Sequence, residues 1–114
     1  MPKKRISEIC HKSLHDNKAL NIISLNVKKI SSFADEIIIA TANSNRHALS
    51  VSEKLVSSLK ENQISIIGVE GKSTSGWVLV DCGDVVINIM RQEQREFYDL
   101  ESLWGAETIS NKYA

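Results

Sequence analysis

The stretch Asp35-Glu36-Ile37-Ile38-Ile39-Ala40-Thr41 constrains this chain more than any other. Successive side chains of an extended strand point to opposite faces of a sheet, so an unbroken run of isoleucines leaves neither face fit for water. The segment must therefore be a central strand, buried on both faces. The flanking patterns supply its neighbours and its covers. Ile6, Ile9, Cys10 and Leu14 recur at three- and four-residue spacing and predict a first helix with one buried stripe. Leu20 to Val27, apolar with polar interruptions at Asn21, Ser24 and Asn26, reads as a strand. After Asn43-Ser44-Asn45, which offers N-cap chemistry, Ala48, Val51, Leu55, Val56 and Leu59 share one face of a helix running to about Asn62. Ile64 to Val69 is expected as a third strand. Two more form a hairpin about Cys82-Gly83, where the glycine is free to take a positive φ. Phe97, Leu100 and Trp104, at offsets of three and four, predict a last helix with a core-facing stripe, and from Gly105 the pattern dissolves. The expectation is one α/β domain over residues 1–105, a mixed sheet of about five strands flanked by helices, with a polar tail at 106–114.

Composition narrows the function classes. At 114 residues the chain has length for one core and not for two. Lys plus Arg and Asp plus Glu are 14 each, so no net basic field draws it to nucleic acid. The one dense basic run, Pro2-Lys3-Lys4-Arg5, is short and terminal and reads as a solvated tail. No apolar run approaches the roughly 18 residues of a membrane span, and nothing at the start resembles a signal peptide. Cys10 and Cys82 have no zinc or redox spacing, and a reduced cytoplasmic protein is the simplest expectation.

The aromatic residues are few and crowd into one quarter of the chain. Both tryptophans, Tyr98 and Phe97 lie between Trp77 and Trp104 with two aspartates at the hairpin turn, Asp81 and Asp84. Trp77, Leu79 and Asp81 share one face of their strand while Val78 and Val80 take the other. A face carrying both an indole and a carboxylate is not wholly buried, and large amphipathic side chains outside a core mark contact with a partner. Tyr98, one residue off the Phe97 stripe, should reach the surface near Arg95.

Other chemistries find weaker support. Gly71-Lys72-Ser73 resembles the end of a phosphate loop, but the glycine required five positions earlier is Ile66, and an inter-strand loop fits better. His11 and His15 could clasp a metal at i and i+4, yet no third ligand accompanies them, and a solvated helix face is expected. Helix capping explains Ser44 and Asn45 beside His47 better than a nucleophile and its base, because no glycine flanks Ser44. Asp81 and Asp84 could structure the turn, meet a basic partner or hold a metal, in that order of weight.

Taken in order, Ile38-Ile39-Ala40-Thr41 after Asp35, Ser44-Asn45-Arg46-His47, Gly68-Val69-Glu70-Gly71, Gly76 to Val86 and Arg95 to Gly105 resemble the Iojap-type ribosomal silencing factors. The resemblance spans about Ile6 to Gly105. Two positions depart from the family's common pattern: Asn88 stands where a histidine is common, and Glu36 where an aromatic residue is. The resemblance implies a nucleotidyltransferase-like sheet and a function without chemistry. It implies binding to the large ribosomal subunit through its fourteenth protein and obstruction of the small subunit. No cofactor, metal, membrane or direct nucleic-acid reading is implied. The surface expected to meet the partner comprises Trp77, Asp81, Asp84, Asn88, Arg95, Tyr98, Leu100, Glu101, Leu103 and Trp104, with the aromatic and apolar groups as anchors and the acids facing basic side chains. Two alternatives are a dimerising adaptor, since an exposed aromatic patch can pair with itself, and a metal-dependent nucleotidyltransferase. The second lacks the Gly-Ser turn and the Asp-x-Asp acids such enzymes use.

Overall fold

The computed structural model describes residues 3–71, 76–104 and 107–108, with side chains over 5–71 and 76–102. In chain order the elements are α1 (Lys3–Asp16), β1 (Leu20–Asn26), β2 (Glu36–Ala42), α2 (Asn45–Glu61), β3 (Gly68–Glu70), β4 (Trp77–Asp81), β5 (Val85–Arg91), α3 (Gln92–Tyr98), α4 (Leu100–Trp104) and β6 (Glu107–Thr108). The strands form one mixed sheet in the order β3-β4-β5-β2-β1-β6. β2 is central and all seven of its residues are buried. It runs parallel to β5, from Glu36↔Val85 to Ala42↔Arg91, and antiparallel to β1.

The alternation of β2 and β5 divides the core in two. Ile38, Ala40, Ile87 and Ile89 join Ile22, Val78 and Val80 beneath α1 and α2, meeting Cys10, Leu14, Val51, Leu55 and Leu59. Ile37, Ile39, Val86 and Met90 face the other way and make a smaller cluster with Leu25, over which Trp77, Leu79 and Leu100 pack. The first face is closed by two long helices, whereas the second is covered by the β1–β2 connection, through Val27 and Ala34, and by Leu100 after β5.

Both long helices end in the same way. The Ala19 N–H donates to Leu14 O at 3.0 Å and that of Lys18 to His15 O at 3.1 Å; Ile64 to Leu59 (2.9 Å) and Gln63 to Lys60 (3.0 Å) repeat the arrangement. These are Schellman closures, with the left-handed position filled by Lys18 at φ 68° and Gln63 at φ 61°. The second closure shortens the expected third strand. The Ile64 amide serves the helix end, so hydrogen bonding to β4 starts only at Ile67, whose N–H donates to Asp81 O at 2.8 Å while its side chain stands 71% exposed, and the strand itself begins at Gly68. At the start of α2, Ser44 caps by accepting the His47 N–H at 2.9 Å. His47 Nδ1 accepts the Asn43 N–H at 3.0 Å, so its Nε2–H donates to Asn17 O, also at 3.0 Å, tying the head of α2 to the tail of α1.

Three further expectations are corrected. His11 is not on a solvated face: it is 2% exposed, with Nε2 2.6 Å from Ser24 Oγ, because α1 turns residues 7, 10, 11 and 14 together toward the sheet. The single last helix is two, broken where Asp99 adopts φ 46°, ψ 56°. With that break Phe97 does not face the core but stands 81% exposed. Within the stretch read as a polar tail, Glu107–Thr108 pair antiparallel with Asn26 and Leu25. Residues 72–75, in the expected inter-strand loop, residues 109–114 of the tail and Pro2 lie outside the described residues, as do the side chains of Lys3 and Lys4.

Glycine at either Schellman position removes the clash an L side chain suffers there. Lys18→Gly and Gln63→Gly are each expected to raise stability by about 0.5–1 kcal/mol in urea unfolding. Ile38→Ala should cost about 3 kcal/mol or more and Ile67→Ala within about 0.5 kcal/mol. Equal losses at the two isoleucines would contradict the outward placement of the Ile67 side chain.

Candidate functional site

The site grows out of the one sheet face that no long helix covers. Gly76 precedes β4 at φ +71°, and its carbonyl accepts the Arg91 N–H at 2.8 Å. A Cβ there would sit 3.0 Å from Asn45 Oδ1 and 3.1 Å from Arg91 Cδ, so only glycine fits both the angle and the space. Trp77 follows immediately. Its indole Nε1–H donates to Asn88 Oδ1 at 2.9 Å, an amide 3% exposed on the neighbouring strand. That bond satisfies the buried amide oxygen and fixes the plane of the half-buried indole.

Tyr98 closes against it, with ring centroids 4.8 Å apart and planes inclined at 49°. Phe97 meets Tyr98 edge-on at 4.9 Å and 83°. Tyr98 is 50% exposed and Phe97 more so, so α3 displays aromatic surface to solvent instead of storing it. Trp77, Leu79, Gln94 and Tyr98, with Glu70 and Gly71 at the sheet edge, line an open depression of about 340 Å³.

What α3 buries is Arg95, 8% exposed. Its Nη1–H groups donate to Asn21 O at 2.7 Å and Thr41 Oγ1 at 2.8 Å. Nε and Nη2 reach the two Glu101 oxygens at 3.4 and 3.3 Å. Two local irregularities bring these acceptors into place. The β1–β2 register slips between Leu20 and Ile23, with Asn21 at φ 48°, and the break at Asp99 folds α4 back so that Glu101 returns to Arg95. Arg95 is therefore corrected from a surface contact to an interior cation, and Asn88 from a contact to the support of Trp77.

The acidic residues of the hairpin lie elsewhere. Asp81 is four residues along β4 from Trp77, roughly 13 Å away. Its Oδ1 accepts the Gly83 N–H at 2.8 Å, the turn-structuring role. Gly83, at φ +86°, and Asp84 make the turn itself, and the Asp84 carbonyl accepts the N–H groups of Asp35 and Glu36 at 2.8 and 3.1 Å. The structure thus joins Trp77, Asn88, Arg95, Tyr98, Leu100 and Glu101 and leaves Asp81 and Asp84 at the far end of the hairpin. The side chains of Leu103 and Trp104 lie outside the described residues. Leu79 and Gln94 were missed as lining groups. Leu79 was legible, because it shares a strand face with Trp77.

Among the described residues no group of His, Cys, Asp and Glu could hold a metal ion. Cys82 is half-buried beside Asp81, and burial first, then that carboxylate, push its thiol up to about 11. Cys10 is pushed up as well, by burial and then by the nearby Cys82 and Glu36. Glu36 is buried and accepts the Ser7 hydroxyl at 2.9 Å. The thiols, distant in sequence, border the same core cluster.

The family described as "ribosomal silencing factor during starvation" matches residues 2–113. The chain is 38% identical over 110 residues to the ribosomal silencing factor RsfS of Chromobacterium violaceum, covering 96% of this chain and 90% of that one. It is 34% identical over 111 residues to the RsfS of Bacillus subtilis, covering 97% and 94%. A crystal structure of a Chromobacterium violaceum protein superposes with a TM-score of 0.90 at 38% identity, covering 98% of this chain and 93% of that chain.

A thiol at about 11 is almost wholly protonated near neutrality. Alkylation of Cys82 in a Cys10→Ser background should accelerate about tenfold per pH unit from 7.5 to 9.5. A rise that bends over near pH 8.5 and flattens above it, the signature of an ordinary thiol, would show that the group is not held protonated by its surroundings.

Proposed function

Because the chain belongs to the family of ribosomal silencing factors, we propose that it binds the large ribosomal subunit through that subunit's fourteenth protein and keeps the small subunit from joining. Translation is damped by occupancy alone. The reading implies a cytoplasmic protein acting where subunits meet.

The observation that carries it is the pairing of Trp77 and Tyr98 on an open face, with Phe97 beside them. Aromatic anchors of this kind supply large contact area at low conformational cost, and their burial dominates interface energetics. Among the described residues around them, exposed carboxylates lie at the rim. Glu70, Glu96 and Asp99 are exposed, whereas Arg91 is engaged by Glu93 at 2.6 Å and Arg95 by Glu101. An aromatic centre with an acidic rim suits a basic ribosomal protein, the charges setting orientation and encounter rate more than affinity. Size is sufficient for obstruction: the fold measures 33 × 32 × 25 Å with a radius of gyration of 12.6 Å. An interface of about 800 Å² per partner is ordinary for a body of that size.

Purified protein mixed with isolated large subunits, followed by small subunits, is expected to co-sediment with the large subunit and diminish the joined peak. Trp77→Ala and Tyr98→Ala should each weaken large-subunit binding at least tenfold, because they remove the central anchors. Asp84→Ala, remote from the platform, should weaken it less. If the wild-type protein stays at the top of the gradient and joining is unaffected, the ribosomal reading fails.

A further inference from the structure

We propose that Arg95 is a positioning residue for this surface: its buried guanidinium holds α3 in the one pose that lays Tyr98 against Trp77, without itself touching the partner. The inference rests on the docking role of the aromatic platform.

The argument starts from how α3 is attached. The helix has seven residues, Gln92–Tyr98, too few to be stable in isolation. A short helix is normally fixed by an apolar stripe, but the one buried residue of α3 is Arg95. Phe97 and Tyr98, the large apolar side chains of the element, are exposed at 81% and 50%. Attachment therefore falls to the guanidinium, which binds three separate segments: the Asn21 carbonyl on β1, the Thr41 hydroxyl on β2 and Glu101 on α4. A planar fork that donates in several fixed directions sets an orientation as well as a distance, which a single ammonium cannot do. Tyr98 follows Arg95 by three residues, one helical turn, so a rotation or tilt of α3 carries the phenol ring away from Trp77. Trp77 keeps its own support through Asn88, on β5. Loss of Arg95 should thus separate the two rings while leaving the indole in place.

Two kinds of measurement test this, one without the ribosome. In Arg95→Met, the Trp77 indole N–H resonance should remain that of a hydrogen-bonded group, while nuclear Overhauser contacts between the Trp77 and Tyr98 rings disappear. Unchanged ring contacts would overturn the proposal whatever the protein binds. For binding, a double-mutant cycle is read on large-subunit affinity. Arg95→Met is expected to weaken binding at least tenfold, and Arg95→Met with Tyr98→Ala to lose no more than Tyr98→Ala alone, because Arg95 acts through Tyr98. Additive losses would mean that Arg95 contributes independently, and unchanged affinity in Arg95→Met would mean that it does not contribute; either result overturns the inference. Should Arg95→Met fail to fold, Thr41→Val removes one of its acceptors and Thr41→Ser restores it. Affinity should fall in the first and return in the second. Failure of the wild-type protein to bind the subunit sinks the docking reading instead and leaves the ring-contact measurement to decide the role of Arg95.

Discussion

The parallel pairing of β2 with β5 is the constraint from which the rest of the architecture follows. Parallel neighbours cannot be joined by a tight turn, and here the connection runs through α2, β3 and β4 before returning. The pair is apolar on both faces, so the sheet needs two covers. α1 and α2 supply one, and they are long enough to do so with ordinary aliphatic stripes. The second is shared between the β1–β2 connection, through Val27 and Ala34, and the chain that follows β5, through Leu100. Within the described residues that chain begins at Gln92 and turns back at Asp99, and Leu100 is its one residue packed against Ile37, Ile39, Val86 and Met90.

A short cover held by apolar burial would have to spend its large side chains on the core. Holding it with Arg95 separates attachment from display. Burying a guanidinium is costly, and removal of one partner from such a group destabilises strongly. The cost is offset only where its donors are satisfied, and the bulged Asn21 carbonyl, the inward Thr41 hydroxyl and the returning Glu101 do this together. A leucine at the same place could fasten α3 without any of them, but it would not fix the direction in which the helix points. The irregular features around it, namely the slipped register of β1, the left-handed Asp99 and the buried cation, belong to one device.

The parts of the molecule governed by burial were legible in the sequence. The isoleucine run placed β2 at the centre, the four-residue spacing in Ala48, Val51, Leu55 and Leu59 placed the inner face of α2, and the alternation about Trp77 placed its strand with one open side. Legibility failed where backbone closure or polar satisfaction overrode pattern. The apolar run after Gln63 looked like a strand, but its first amide was committed to the end of α2. His11 reads as part of a solvated helix face, but the face it shares with Cys10 and Leu14 is the buried one. Phe97, Leu100 and Trp104 had the spacing of a stripe, and only a break at Asp99 shows that the spacing belongs to two helices. Aspartate tolerates the left-handed region better than most residues, yet an aspartate in a helical pattern does not announce that it will adopt it. Arg95 and Asn88 were recognised as belonging to the site but assigned to the wrong side of it.

That error exposes a distinction between groups that meet a partner and groups that make the meeting cheap in entropy. Binding loses affinity in proportion to the side chains it must immobilise, so a surface already rigid before contact keeps more of its contact energy. Trp77 is held by a buried amide, Tyr98 by the packing of its ring on Trp77 and by the pose of its helix. An amide at position 88 also fits this role chemically. It accepts the indole N–H in a single ionisation state, whereas an imidazole there could accept only while neutral. The support of Trp77 is accordingly the same across the physiological pH range. For a protein proposed to act by standing in the way, persistence on its target sets efficacy, and most differences in persistence reside in the rate of departure. The buried polar residues behind the aromatic face, though out of the partner's reach, should therefore act on that rate through the anchors they hold in place.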